Sequence, residues 1–152
     1  CLMTTLELAR MLLLRWQADF RTPETNRLDV PIPAPELQTT VSALLAGHWG
    51  YLAGITGLDH GDALELLYHF ASGAAIVTLR VKLPRPTPTV ASICRLVPAA
   101  SVFEREVSEL FGVTFRGAPD TARLFLPDDW PEGVYPLLKD AVLPEVAHDH
   151  AD

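Results

Sequence analysis

Glu104, Arg105, Glu106 and Glu109 crowd four charges into six positions, bracketed by Phe103 on one side and Leu110-Phe111-Gly112 on the other. Carboxylates at this density could act as a general acid and base, but that chemistry needs a pocket and a reacting partner group that nothing else in the sequence supplies. Ser101-Val102-Phe103-Glu104 has capping-box spacing, which would pair Ser101 and Glu104 with each other's backbone N–H groups at a helix start. Phe103, Val107, Leu110 and Phe111 then fall on one apolar stripe, so that stripe packs on the domain and Arg105, Ser108 and Glu109 face the other way. Arg105 and Glu109 can pair at i, i+4, worth a few tenths of a kcal/mol on a surface. A solvated charged face and the docking of a partner are the readings that remain.

Other chemistries find little support. The glycines are dispersed, with no Gly-x-Gly-x-x-Gly and no Gly-Lys-Ser/Thr, so neither a dinucleotide loop nor a phosphate loop is predicted. His48, His60 and His69 do not stand at metal-ligand spacings, and His148 and His150 beside Asp149 offer two ligands on an acidic end expected to be disordered. With two cysteines the chain has neither a disulfide framework nor the roughly four thiolates of an iron–sulfur site. Cys94 reads as an inert core thiol, and Cys1, ahead of Met3, carries no functional weight. No cofactor or metal is therefore expected. A net charge of −7 without a basic run argues against nucleic acid. Apolar runs such as Met11 to Leu14 are far below the ~20 residues that cross a bilayer, so a soluble, cytoplasmic chain with no direct membrane insertion is expected.

The elements that must position the acidic helix read as α+β. Thr4-Thr5-Leu6-Glu7 is a capping box, and Leu8, Met11, Leu12 and Trp16 extend a helix from about residue 5 to about 19. Leu28, Val30 and Ile32 alternate as a strand that Pro31 and Pro33 confine to a sheet edge. Pro35 opens a second helix, with Leu37, Val41, Leu44 and Leu45 on its apolar stripe and Gly47 as its stop. Tyr51 to Leu58 is a strand. Leu64, Leu66, Tyr68 and Phe70 form one face of the next, and Val77, Leu79, Val81 and Leu83 the matching face of a third, turned at Ser72-Gly73. The order α-β-α-β-β-β predicts a mixed, largely antiparallel sheet covered by helices on one side. A chain of 152 residues with 49% hydrophobic content is large enough to bury a real core.

Residues 1–83 read as the compact α/β domain. Residues 84–152 read as a Pro-rich connector, a signature helix at about 101–111, and an extended partner-binding tail of the same structural unit. Pro84, Pro86 and Pro88 favour the stiff connector. The tail is apolar, with Leu124, Phe125, Leu126, Trp130 and Tyr135, and must lie along its own domain or along a partner.

Glu104-Arg105-Glu106-x-x-Glu109-Leu110-Phe111-Gly112-Val113-x-Phe115-x-Gly117-x-Pro119-Asp120, followed by Arg123-Leu124, resembles the signature of the thirty-kilodalton subunit of respiratory complex I, the C-subunit family of NADH-quinone oxidoreductase. Leu126-Pro127-Asp128-Asp129-Trp130-Pro131, Val134-Tyr135-Pro136-Leu137 and Lys139-Asp140 are similar to the same family's C-terminal run. The resemblance implies a subunit without a catalytic or redox centre of its own, in the peripheral arm on the cytoplasmic face of the membrane. Its implied partners are the large quinone-proximal subunit, of the forty-nine-kilodalton type, and neighbouring iron–sulfur subunits, with NADH as electron donor and quinone as acceptor for the whole translocase. Glu104, Arg105, Glu106 and Glu109 would be structural or docking charges. Phe111, Gly112, Phe115, Pro119 and Asp120 would set the exit of the tail, and Arg123, Lys139 and Asp140 would belong to the docking surface.

This chain departs from the family pattern at Ala118, Ala122 and Leu138, where the family usually carries a histidine and two arginines. An altered partner surface follows. The equivalent subunit of a membrane-bound hydrogenase or formate hydrogenlyase is the alternative, and a free-standing enzyme using Glu104, Glu106 and Glu109 is a third reading.

Overall fold

The computed structural model describes residues 3–119 and 121–144. Its element order is α1 (Thr5–Leu12), β1 (Arg27–Pro31), α2 (Leu37–Ala46), β2 (Tyr51–Asp59), β3 (Ala63–Ser72), β4 (Ala75–Pro84), β5 (Thr89–Ala91), α3 (Ala100–Phe111) and β6 (Thr114–Arg116). A four-stranded sheet has the order β1-β4-β3-β2. The β2–β3 and β3–β4 pairs are antiparallel, while β1 lies parallel to β4 at the edge that its prolines require. The fold is the α+β class predicted from the sequence.

Alternation decides which face is covered. Leu64, Leu66, Tyr68 and Phe70 of β3 and Val77, Leu79, Val81 and Leu83 of β4 are each at most 1% exposed, and α1, α2 and α3 pack on that side. The opposite face is polar. Arg80 bridges Glu65 at 2.6 Å and Asp29 at 3.3 Å, and His60 reaches the same Glu65 at 3.1 Å. Burial raises the pKa of the Glu65 carboxyl, but hydrogen bonds from Arg80 and then His60 outweigh it and leave the group below its ordinary value. His69 sits between the hydroxyls of Thr56 and Thr78, 3.0 Å from each, and burial holds its pKa down so that the ring stays neutral. His60 and His69 are thus both held by hydrogen bonds to neighbouring side chains.

Two local departures from the sequence reading have physical causes. Helix α1 keeps its Thr4–Glu7 capping box but ends at Leu12, and a 3-10 segment, Leu14–Asp19, follows. Tightening to i+3 bonds eclipses side chains three apart, which brings Leu13 and Trp16 together into the core at 0% and 7% exposure. Beyond Pro84 a second, unforeseen sheet forms, with β5 parallel to β6 and Val90 opposite Phe115. The buried cluster is continuous from Ala9 to Phe115 and takes in Ile93, Cys94, Ala100, Val107 and Val113.

Candidate partner interface on helix α3 and the segment it carries

Helix α3 turns its charges in two directions. Glu104 faces inward and is 2% exposed. Its carboxylate accepts from the Ser92 hydroxyl at 2.7 Å, the Ile93 backbone N–H at 2.8 Å and the Cys94 thiol at 3.1 Å. The expected capping box with Ser101 is not formed: the helix starts at Ala100 with Ala99 as N-cap and no side-chain cap. The spacing rule fails because the β5–α3 loop offers three donors in a dry site, where a carboxylate gains more than at an exposed helix end. Among the described residues no cation pairs with Glu104. Burial, reinforced by the neighbouring Glu104 charge, raises the pKa of both the Cys94 thiol and the Tyr68 phenol, so Cys94 is a protonated core thiol and not a nucleophile.

The outward charges hold the C-terminal segment. Glu109 accepts the consecutive backbone N–H groups of Leu124 and Phe125 at 2.5 and 2.8 Å. Among the described residues Glu109 makes no ion pair with Arg105, the pairing that their i, i+4 spacing allows. The Arg105 guanidinium donates to the Ala122 carbonyl at 3.1 Å. Arg105, Ser108, Glu109, Phe115 and Ala118 line a cavity of about 250 Å³ between helix and segment. Glu106 is half-buried on the helix flank, and Pro119 is exposed. Asp120, expected at this exit, lies outside the described residues, as do Cys1 and His148 to Asp152.

Two glycines permit the close packing. Gly112 ends α3 in the left-handed region at φ 76°, and a Cβ there would stand 2.6 Å from the Tyr135 ring. Gly57 lets Phe111 approach β2, since a Cβ at that position would be 2.6 Å from the Phe111 ring. Further along, the Leu137 N–H donates to the Leu110 carbonyl at 3.0 Å. Ala118 and Leu138, two positions that depart from the family pattern, pack against the core.

A clasp that the sequence did not reveal closes the far end. Asp59 accepts the backbone N–H of Lys139 and that of Gly61, both at 2.8 Å. Arg85 reaches Asp59 at 3.3 Å, bridges Asp140 and donates to the Gly61 carbonyl at 3.0 Å. The Lys139 backbone and the Asp140 carboxylate are held by Asp59 and Arg85 of their own chain, and both residues remain exposed. No local pattern joins residues 80 positions apart. The Lys139 N–H, then the Gly61 N–H, hold the Asp59 carboxyl below the usual carboxylate range. A lowered native pKa means that the clasp is fully formed above the unfolded carboxylate value, about 4, and is lost as pH falls through the lower native one. We expect Asp59→Ala to speed amide exchange at Lys139 on the order of tenfold, the worth of a charge-assisted hydrogen bond. In wild-type protein the protection factor of the Lys139 amide, which takes out the intrinsic pH dependence of exchange, should hold near neutral pH and fall as pH drops through the lowered native Asp59 value.

The family described as "Respiratory-chain NADH dehydrogenase, 30 Kd subunit" matches residues 30–146. The C-subunit of NADH-quinone oxidoreductase from Moorella thermoacetica is 38% identical over 121 residues, covering 74% of this chain and 80% of that protein. Membrane-bound hydrogenase subunit beta of Pyrococcus furiosus is 41% identical over 88 residues, covering 54% of this chain and 50% of that one. The chain thus spans about half the length of this second relative. Among solved structures, a chain of the membrane-bound sulfane sulfur reductase, an archaeal respiratory membrane complex, has the same fold, with a TM-score of 0.78 at 23% identity, covering 90% of this chain and 84% of that chain.

Proposed function

The chain belongs to the respiratory-chain NADH dehydrogenase 30 Kd subunit family, and from that premise we propose that it is a docking and assembly subunit of an NADH:quinone oxidoreductase. It stands in the peripheral arm, on the inner face of the membrane, against the large quinone-proximal subunit and near the iron–sulfur subunits. Electrons pass from NADH to quinone through those neighbours, and this chain contributes geometry. The observation that carries the reading is the segment 121–140, which is fixed on α3 and the β2–β3 turn by Glu109, Arg105, Asp59 and Arg85 while Leu124, Phe125 and Leu137 remain exposed. An ordered strip of exposed apolar side chains suits burial against a second protein. No helix among the described residues is long and apolar enough to cross a membrane, in keeping with a peripheral position.

A second reading is favoured by the 41% identity to the hydrogenase subunit of Pyrococcus furiosus: the same module in a complex I-related membrane-bound hydrogenase or formate hydrogenlyase. Purification of the native complex through a tag on this chain separates the two. Flavin- and nicotinamide-binding subunits in the purified complex support the first, and a nickel-containing large subunit supports the second. Recovery of the tagged chain as a lone protein with substrate turnover of its own would overturn both.

A further inference from the structure

The two edges of the main sheet differ in how the chain guards them. Strand β1 carries Arg27, Asp29 and Pro31, and its own chain covers it. Asp29 exchanges backbone bonds with Arg21 at 2.7 and 2.9 Å, and the Arg27 N–H reaches the Glu24 carbonyl at 3.2 Å. Strand β2, at the other edge, has no such cover. From Tyr51 to Leu58 it holds neither a charged residue nor a proline, the usual guards of an edge. Among the described residues, no backbone group of 51–58 bonds to any element but β3. A bulge between Leu52 and Gly54 interrupts the strand and leaves Gly54 to Leu58 in regular register. Gly54, Thr56 and Leu58 share the sheet face opposite the core, with Thr56 exposed. Gly54 has no reason within the chain, since its φ lies outside the left-handed region and a Cβ there would meet nothing within 4 Å. A bare site in a strand suits the close approach of another strand.

We propose that the free edge of β2 pairs antiparallel with β2 of a second copy of this chain, joining two four-stranded sheets into one of eight strands. The edges themselves select this occupant. A head-to-tail contact would need β1, whose edge is closed, so β2 can meet only β2, and that isologous contact stops at two copies. An uncharged strand laid on its own copy opposes no like charges. With the two-fold axis at Thr56, Thr56 stands opposite Thr56, and Leu58 of each copy covers Gly54 of the other, the site that lacks a side chain. The ladder spans Gly54 to Leu58 of each strand, a small interface, so the dimer is weak and forms by mass action. The pairing belongs to the free chain and does not draw on the docking reading.

Sedimentation equilibrium and amide exchange of the full chain at rising concentration test the pairing. Wild type should pass from monomer to dimer, with exchange slowing at the outward amides of 54–58 and unchanged at Arg27 and Asp29 of β1. Thr56→Lys sets two like charges directly opposite and should weaken association on the order of tenfold or more, an effect that high salt relieves. Thr56→Val loses the same hydrogen bond to His69 without adding charge and should dimerise like wild type, which separates the pairing from that bond. A wild-type chain that stays monomeric at every concentration overturns the proposal, as does a dimer whose protection falls on other elements or a lysine variant that associates as tightly as wild type. Protection of 54–58 that arises only when the large subunit is added also overturns it, and gives the edge to a foreign strand.

Discussion

Glu104→Ala will lower unfolding free energy by about 3–5 kcal/mol, the cost of stripping one partner from a buried, fully bonded polar group. The Ser92 hydroxyl, the Ile93 N–H and the Cys94 thiol all lose their acceptor, and Ser92, Ile93 and Cys94 are at most 6% exposed, so water does not replace it readily. Against a typical total of about 5–15 kcal/mol, this is a large share. Glu104→Gln separates charge from shape. Its amide oxygen can still accept from Ile93, and its amide nitrogen can donate to the Ser92 oxygen once that hydroxyl rotates, so about 1–2 kcal/mol is expected. Urea unfolding at neutral pH reads both. An alanine variant within about 1 kcal/mol of wild type would mean that the loop finds other acceptors, and would remove Glu104 as the link between α3 and the β5–α3 connection.

Gly112→Ala is expected to be nearly as damaging, for reasons that can be measured apart. Placing a Cβ on a left-handed residue costs about 1–2 kcal/mol. The same atom would meet the Tyr135 ring at 2.6 Å, and relieving such overpacking adds about 1–3 kcal/mol. Tyr135 is half-buried and belongs to the segment that α3 carries, so relief means lifting that segment and straining the nearby Leu137–Leu110 bond. In a Tyr135→Ala background the steric share should vanish and the backbone share remain, which a double-mutant cycle resolves. Equal losses in both backgrounds would show that the ring moves freely and that the segment is not seated on Gly112.

The sheet was legible because its signal is simple. Leu64, Leu66, Tyr68 and Phe70 repeat with period two, and Val77 to Leu83 answers them, so strand identity, facing and the hairpin follow from one pattern. Pro31 and Pro33 placed β1 at an edge because a missing N–H excludes it from the interior. Helix α3 itself, its apolar stripe and its glycine stop were equally plain. What its acids do was not. Ser101 and Glu104 satisfy a local spacing rule, yet Glu104 is claimed by a loop 10–12 residues upstream, and no periodicity encodes that competition. Glu109 and Asp59 were hidden for a related reason. Each bonds to backbone N–H groups of a segment without regular structure, and such a partner has no side-chain signature to read. The family resemblance located the motif residues but not the direction each one faces.

The parallel pairing of β1 with β4 also sets an order of events in time. Leu28 meets Val77 and Val30 meets Leu79, so this contact closes a loop of 49 residues, whereas the β2–β3 and β3–β4 hairpins close over a few. Long closures lag behind short ones, and here the lag is imposed during synthesis as well. Until β4 leaves the ribosome, α1, β1 and α2 have no sheet to cover, and Leu28, Val30, Leu37, Val41 and Leu44 stay wet. The meander of β2, β3 and β4 is expected to pair before β1 joins it, an order that pulse-labelled amide exchange during refolding would read.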